Sequence, residues 1–350
     1  MEKKKTQKMK TDRASGMKTK VLNFLKDPFF LTRWEQDWSR QPEGDRVAVR
    51  LGGWPWFGYE GDIFMLVEDL HLRCMPIRIG RASADDKVSI KLDPPNQAIE
   101  RSIAESLTGR EYEPFEDAVC SFMRDACQSL ALYGRITFEI VIERDDQGQI
   151  SSFEFDSVYP PSVWKIFGSF YQIIPWWRAK NAHCRVGIRK IPSDKVLSFE
   201  IPKELGGKRG WIRMLSRLYS FRGAIIPPFQ MRAMEKNVQT GFNFEKFVQL
   251  QYLEKSRAVK HIGWNQRKWQ DSKILEYYAM VKSLRFAYCE ALIREAIHQE
   301  LNLALAGKRL NLENRIVIDG APKSEDILKE MEALERGDLG FVELMNRVSI

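Results

Sequence analysis

The most regular pattern of apolar and polar positions in the chain lies between residues 113 and 134. Apolar residues recur there at steps of three and four: Phe115, Val119, Phe122, Ala126, Leu130 and Tyr133. This spacing is typical of an amphipathic α-helix that buries one face. Pro114 and the two acidic residues that follow Phe115 suit the beginning of such a helix, and Gly134 suits its end.

Immediately after Gly134 the pattern changes to alternation of every second residue. It predicts a half-buried strand with one apolar row, made of Ile136, Phe138, Ile140 and Ile142. The residues that alternate with this row are Thr137, Glu139, Val141 and Glu143. The segment RDDQG then predicts a turn. On the predicted return strand, two phenylalanines alternate with two acidic residues: Phe153 and Phe155, Glu154 and Asp156. The pattern therefore predicts a helix packed beside a β-hairpin.

Shorter elements flank this unit on both sides. Residues 63–72 and 96–108 are predicted to be short helices, and KVSIKLDPP is predicted to be a strand that ends at its two prolines. Three later segments predict strands: FYQIIPWWRA, HCRVGIRKI and DKVLSFEIP. The last strand carries one apolar row, formed by Leu197, Phe199 and Ile201. The segment KELGGKRG that follows is predicted to be a loop.

From Trp211 onward the pattern becomes helical. An apolar stripe there predicts one buried helix face: Trp211, Met214, Leu215 and Leu218. Residues 229–257 are predicted to be mostly helical, and a long helix is predicted to end at Gly307 before the strand NRIVIDG. Two short helices close the chain, SEDILKEMEALERG with Ser324 as N-cap, and FVELMNRV. We therefore predict an α+β fold, with an N-terminal α/β part and a mostly helical C-terminal half.

The charge of the chain is concentrated at its N-terminus. The formal net charge is +8, and residues 1–20 contribute eight basic and two acidic residues to it. The remaining 330 residues carry 47 basic and 45 acidic residues, so that part of the chain is close to neutral. We expect residues 1–20 to be a disordered basic arm. Two interpretations of the arm stay open: a solvated tail, or a segment that contacts nucleic acid or an acidic partner.

The sequence contains few signs of catalysis or metal binding. It has no GxxxxGK[ST] phosphate loop, no GxGxxG, no GxSxG and no HExxH motif. His71 and Cys74 have a spacing that zinc ligands can have, but no further ligands are defined around them. Cys120 and Cys127 lie two turns apart on one predicted helix, where small buried residues are expected. Because these motifs are absent, we expect no enzyme activity, no cofactor and no metal. We also expect no membrane span, because no run of 18 apolar residues exists.

A basic stretch between residues 206 and 240 is more informative. It contains seven basic residues against the single acid Glu235: Lys208, Arg209, Arg213, Arg217, Arg222, Arg232 and Lys236. One interpretation is a solvated face or a row of partners for acids on a neighbouring subunit. The other is a surface that faces a phosphate backbone. The ten tryptophans are likewise either stacking platforms for nucleic acid or anchors of a core or interface.

The order of these elements resembles that of the portal proteins of tailed bacteriophages. In YGRITFEIVIERDDQGQISSFEFDSVYPPSVW, a Tyr-Gly helix end leads to a strand, a charged glycine turn, a return strand and a proline turn. In IPSDKVLSFEIPKELGGKRGWIRML, a short strand precedes a glycine-rich loop and a helix. The last part of the chain is similar to the portal C-terminal region. It runs from ALIREAIHQELNLALAG through NRIVIDG and SEDILKEMEALERGDLGF to the last helix. The resemblance covers roughly residues 96–350.

This resemblance implies a subunit of a ring, a dodecamer in the virion, that surrounds double-stranded DNA at one capsid vertex. It implies the following division: a wing-like α/β region at 21–160, a β-rich clip-like region at 161–207, a stem and following helices at 208–274, and a crown-like helical region at 275–350. The implied partners are other copies of the chain, the major capsid protein, the terminase packaging motor and a tail connector. The implied location is the virion, and the host cytoplasm during assembly.

On this interpretation the basic and aromatic residues acquire structural roles. The basic residues Arg209, Arg213, Arg217, Arg222, Arg232 and Lys236 would line the DNA channel or pair with a neighbouring subunit. The aromatic anchors of the subunit interfaces would be Trp54, Trp56, Trp176, Trp177 and Trp211. The alternative is a monomeric, non-specific nucleic-acid-binding protein that uses the basic arm and the helices of residues 206–240. An enzyme of unknown class is a third possibility, and it would require a deep pocket with perturbed ionisable groups.

Overall fold

A computed structural model describes eight stretches of the chain: residues 45–49, 61–75, 88–109, 113–148, 150–174, 187–220, 252–265 and 276–338. Six helices lie in these stretches: α1 Asp62–Cys74, α2 Gln97–Thr108, α3 Phe115–Tyr133, α4 Gly207–Ser220, α5 Glu276–Leu305 and α6 Ser324–Arg336. Residues 252–258 are also helical. The strands are β1 Ser89–Asp93, β2 Arg135–Arg144, β3 Ile150–Ser157, β4 Val163–Ile166, β5 Ser169–Ile174, β6 Gly187–Ile191, β7 Val196–Glu200 and β8 Arg315–Asp319. The predicted mixture of helix and sheet is confirmed.

Helix α3 has the predicted bounds and the predicted buried face. Val119, Phe122 and Leu130 are buried in the main hydrophobic core, and Cys120 and Cys127 are buried beside them. The helix ends because Gly134 adopts a left-handed conformation with φ of 66°, and its N–H donates to the carbonyl of Leu130 at 2.7 Å. This cap turns the chain directly into β2.

Strand β2 differs from the prediction because both of its faces are buried. Phe138 and Ile140 pack in the core as expected, but Thr137 and Glu139 on the other face are also buried. The second face is covered by residues 45–49, whose backbone N–H groups donate to the Glu139 carboxylate. Alternation along one strand shows which residues share a face but cannot show that a distant segment covers the polar one.

The strands form three antiparallel sheets. One has the order β3–β2–β7, with Ile142 opposite Phe153 and Ile136 opposite Phe199. The second has the order β4–β5–β6, and the third is the pair β1–β8. Strand β7 lies within residues 161–207, yet it pairs with β2 in the sheet of the preceding region. The division of the chain into wing-like, clip-like and other regions remains a prediction.

Helix α4 begins earlier than the sequence pattern indicates. The segment KELGGKRG was predicted to be a loop, but only its first half is one: a 3₁₀ turn at Lys203–Leu205 is followed by Gly206 with φ of 88°. The α-helix starts at Gly207. The N–H of Gly206 donates to the carbonyl of Lys203 at 2.8 Å and closes the turn, and the helix begins at the next residue.

The predicted N-cap of the last described helix is also wrong. Lys323 is the N-cap of α6, and Ser324 is its first helical residue. The backbone N–H of Ser324 donates to Glu295 at 2.7 Å, and its hydroxyl donates to the other oxygen of the same carboxylate. The Glu295 carboxylate of α5 therefore binds the first N–H group of α6, and this contact connects the two helices.

Candidate association surface

The β4–β5–β6 sheet has one buried face. Val163, Phe170 and Ile191 point into a small core that also contains Ala48 and Val158. Gln172 lies on the same face and is buried, with its side-chain amide bonded to the backbone of Val49. This face attaches the sheet to the rest of the chain.

The opposite face of this sheet, which we call the outer face, is apolar and exposed. Trp164 and Tyr171 are opposite each other in the β4–β5 register, and Ile173 is opposite Ile188 in the β5–β6 register. Trp164 is 53% exposed and Ile188 is 69% exposed. Directly opposed residues of antiparallel strands share a face, so these side chains form one patch. Clusters of exposed apolar side chains are typical of sites where another macromolecule binds.

The ends and edges of the sheet extend this surface. Phe167, at the tip of the β4–β5 hairpin, has a relative exposure of 103% and a positive φ of 47°. Within the stretches that the structure describes, β4 and β6 each pair only with β5, so the sheet has two open edges. Open edges present unpaired backbone groups to which another strand can bind.

The charge of the sheet is entirely basic. The three strands carry Lys165, Arg189 and Lys190 and no acidic residue. Lys165 places its ammonium group 5.4 Å from the centre of the Phe170 ring. Lys165 lies opposite Phe170 and Arg189 opposite Gln172, so both belong to the inner face, whereas Lys190 lies opposite Tyr171 on the outer face. The outer face of these strands is therefore mainly apolar with one basic residue, and it suits an apolar partner.

Helix α4 presents the predicted basic row. Arg209, Arg213 and Arg217 are exposed at intervals of four residues, while the opposite side of the helix buries Met214 and Leu218. Arg222, Arg232 and Lys236 lie outside the described residues. The row and the outer face are two separate surfaces, and only the row was singled out from the sequence.

Trp211 is not available as an interface residue. Its side chain is 0% exposed, and its indole N–H donates to the carbonyl of Ala131 at 2.8 Å. The prediction that it anchors a subunit interface does not fit this burial, because the residue has no surface left for another chain. The apolar stripe of α4 already indicated its burial. The other four predicted anchors, Trp54, Trp56, Trp176 and Trp177, lie outside the described residues.

Two buried carboxyl groups of the described residues have raised pKa values. Burial raises the pKa of Glu290 to about 8, although Arg73 and Arg294 oppose the shift; Arg73 lies 3.6 Å from its carboxylate. Burial also raises the pKa of Glu139, and the N–H groups of Ala48 and Val47 oppose that shift. The Glu139 carboxylate accepts hydrogen bonds from the strand-covering residues Val47 and Ala48, whereas Glu290 faces Arg73 across 3.6 Å.

The zinc-like spacing of His71 and Cys74 has a structural explanation. The Nδ1 atom of His71 lies 3.2 Å from the carbonyl of Arg124, and the thiol of Cys74 donates to the carbonyl of Met123 at 3.7 Å. Both side chains thus attach α1 to α3. Among the residues with a described position, no group of three or more histidine, cysteine or acidic side chains could hold a metal ion.

The long helix α5 is not a candidate membrane span. No helix within the described ranges is both long enough and apolar enough to cross a bilayer.

Comparisons with known proteins give a similarity among solved structures alone. No protein-family model matches the chain, and no curated protein matches it. Among solved structures, the chain is similar to an HK97 family phage portal protein from Corynebacterium diphtheriae, with 10% sequence identity and a TM-score of 0.35. The alignment covers 74% of this chain and 94% of that chain. Values this low do not establish a shared fold, and they leave the family of this chain open.

Proposed function

We propose that this chain is a structural subunit of portal type, whose copies assemble into a ring around a DNA channel at a capsid vertex. The ring passes double-stranded DNA during packaging and ejection and binds the capsid protein, the packaging motor and a tail connector. It has a structural role and no catalytic site of its own. The sequence supports this through its order of elements, which resembles that of portal proteins over roughly residues 96–350.

The outer face of the β4–β5–β6 sheet carries the proposal. It belongs to residues 161–207, the region that the sequence resemblance assigns to a clip-like docking element. Its exposed tryptophan and isoleucine side chains are costly to leave in water, and a neighbouring subunit would bury them. A ring requires a heterologous contact, in which this face meets a different surface of the next copy.

The basic row of α4 is assigned to contacts between copies. A channel must let DNA slide, and a dense basic lining would instead hold the phosphate backbone. We therefore assign Arg209, Arg213 and Arg217 to pairing with acidic residues of a neighbouring copy. The roles of Arg222, Arg232 and Lys236, and of the tryptophans outside the described residues, stay as predicted from the sequence.

The outer face can be tested with a double substitution, Trp164→Thr with Ile188→Thr. Threonine keeps the strand propensity and removes most of the apolar surface. We expect the wild-type protein to form a large assembly and the double variant to shift toward a monomer, with unchanged circular dichroism. Leu72→Ala is the matched control, because Leu72 is 58% exposed but lies on α1. If the double variant assembles like the wild type, the outer face is not the association surface.

A monomeric, non-specific nucleic-acid-binding protein is the second candidate, and the exposed arginine row of α4 favours it. It predicts tight DNA binding at low salt that weakens steeply as salt rises, with a slope that falls by about one unit for each arginine removed. The ring subunit predicts weak DNA binding and no such change in slope. Fluorescence titrations of Arg213→Gln against wild type at several salt concentrations distinguish the two.

A further inference from the structure

Residues 45–49, which we call the strap, run between the two three-stranded sheets, with a turn at Asp45 and a bend at Ala48. At one end, the Asp45 carboxylate accepts a hydrogen bond from the N–H of Ile142 on β2 at 2.9 Å. At the other end, Val49 exchanges two hydrogen bonds with the Gln172 side chain on β5, each of 2.7 Å. The strap therefore contacts both sheets.

The strap is held by side chains that bind its backbone. The two carboxylate oxygens of Glu139 accept hydrogen bonds from the N–H groups of Val47 and Ala48, each at 2.7 Å. Together with the Gln172 contact to Val49, three consecutive backbone N–H groups are bound by side chains and not by a neighbouring strand. Glu139 and Gln172 are both 0% exposed. Without the strap, the buried Glu139 carboxylate and Gln172 amide would lack these hydrogen bonds, at a cost in free energy. The groove is therefore more stable with the strap bound.

The side chains of the strap also fit the groove selectively. Ala48 is buried among Val158, Phe170 and Ile191, an apolar setting in which a charged side chain would be unfavourable. Arg46 pairs with two acidic residues of β3, at 3.1 Å from Glu154 and 2.9 Å from Asp156. Asp45 pairs with Lys195 at 2.7 Å and with Arg309. The contacts of the groove thus fit a segment with an acid, a base directly after it and, two residues after the base, a small residue.

We propose that this groove is a peptide-binding site for the strap, and that Glu139 and Gln172 are positioning residues through which the bound strap fixes the β4–β5–β6 sheet against the β3–β2–β7 sheet. A second connection between the sheets exists, because the Arg135 guanidinium donates to the carbonyls of Pro160 and Val163. The strap adds contacts on β2, β3, β5 and β6, and so sets the orientation of the sheet that carries the outer face. The consequence for assembly rests on the proposed function.

Hydrogen exchange of the full-length protein tests the docking of the strap. The amides of Val47, Ala48 and Val49 are expected to be protected in the wild type. They should exchange at least about tenfold faster in Glu139→Gln, where an amide NH2 would face a strap N–H, and in Gln172→Glu, where a carboxylate oxygen would face the Val49 carbonyl; each change replaces one hydrogen bond by a repulsive contact. Glu143→Gln is the matched control, because Glu143 lies on the same strand and accepts from the Ser152 hydroxyl at the surface. Wild-type strap amides that exchange as in an unstructured peptide would overturn the proposal.

Peptide binding tests the groove as a site. In full-length Ala48→Glu, the introduced charge should expel the strap and leave the groove empty. A fluorescent peptide of residues 43–51 should then bind this variant saturably. Binding should weaken at least about tenfold when Glu139→Gln is added, and also when the peptide carries the same Ala48→Glu change. No saturable binding overturns the site. If Ala48→Glu fails to fold, the exchange experiment on the other variants still decides.

The assembly readout separates this proposal from the proposed function. Faster strap exchange in Glu139→Gln together with a smaller assembly supports both claims. Faster exchange with unchanged assembly overturns the positioning role. If the wild-type protein stays monomeric, the ring proposal fails. The exchange and peptide-binding experiments then still test the groove.

Discussion

The role of Trp211 gives a sharp test of the packing between α3 and α4. The carbonyl of Ala131 belongs to the last turn of α3, where helix carbonyls lack partners within the helix. The indole N–H of Trp211 supplies the partner at 2.8 Å, and both residues are fully buried. The substitution Trp211→Phe removes this donor and keeps an aromatic ring.

The expected cost of Trp211→Phe has two parts. Leaving the buried Ala131 carbonyl without a donor costs about 1–3 kcal/mol. The smaller ring leaves a cavity of about 40 Å³, which costs roughly 1 kcal/mol. We therefore expect the free energy of unfolding to fall by about 2–4 kcal/mol.

Urea unfolding followed by circular dichroism measures this loss, because the signal does not depend on the tryptophan that is replaced. Trp164→Phe is the matched control: it makes the same chemical change at a side chain that is 53% exposed in the monomer, and its effect should stay within about 0.5 kcal/mol. Because Trp164 lies on the proposed association surface, both variants are compared at protein concentrations at which they are monomeric. A Trp211→Phe variant that is as stable as the control would refute the burial of Trp211. A change in assembly without a loss of stability would restore the interface role predicted from the sequence.

Two further predictions follow from buried or crowded positions. Because burial raises the pKa of Glu290 from 4.5 to about 8, the folded state binds more protons than the unfolded state between these values, and stability should fall by several kcal/mol as pH rises from about 4.5 to 8. In Glu290→Gln, pH-dependent thermal unfolding should lose this slope, and an unchanged slope would show that Glu290 is ionised throughout. An added Cβ at Gly263 would lie 2.3 Å from the Lys282 carbonyl, so Gly263→Ala should destabilise the fold by more than about 3 kcal/mol. Gly148→Ala, where φ is also positive but nothing lies within 4 Å, should cost only about 1 kcal/mol in the same denaturation assay, and equal losses would contradict the crowding.

Local patterns predicted local structure well. The bounds of α3, the hairpin after it and the strand at Val196–Glu200 followed from periodicity and from glycine and proline signals. The apolar stripe of α4 also predicted that Trp211 and Leu218 are buried. The position of Trp211 in that stripe, and not its residue type, indicates its role in the core.

Features that depend on distant contacts were not predictable from the sequence alone. Strand β1 pairs with β8, and its Ser89 lies opposite Asp319 across more than half of the chain. The burial of Glu139 depends on residues 47 and 48, which no pattern connects to it. The outer face has one indication in the sequence, because Ile173 and Ile174 are consecutive apolar residues of one strand and must therefore point to opposite faces of the sheet. Only the sheet order shows that one of them is exposed and the other buried.

The mass of the full-length protein tests the central claim most directly. Light scattering after size exclusion, with negative-stain images of the same peak, gives the number of subunits and their arrangement. The ring proposal predicts particles with a central hole and a mass of about 490 kDa, for twelve chains of 40.8 kDa each. A single species of 40.8 kDa at all protein concentrations, with tight and salt-sensitive DNA binding, would contradict the ring and favour the monomeric nucleic-acid-binding protein.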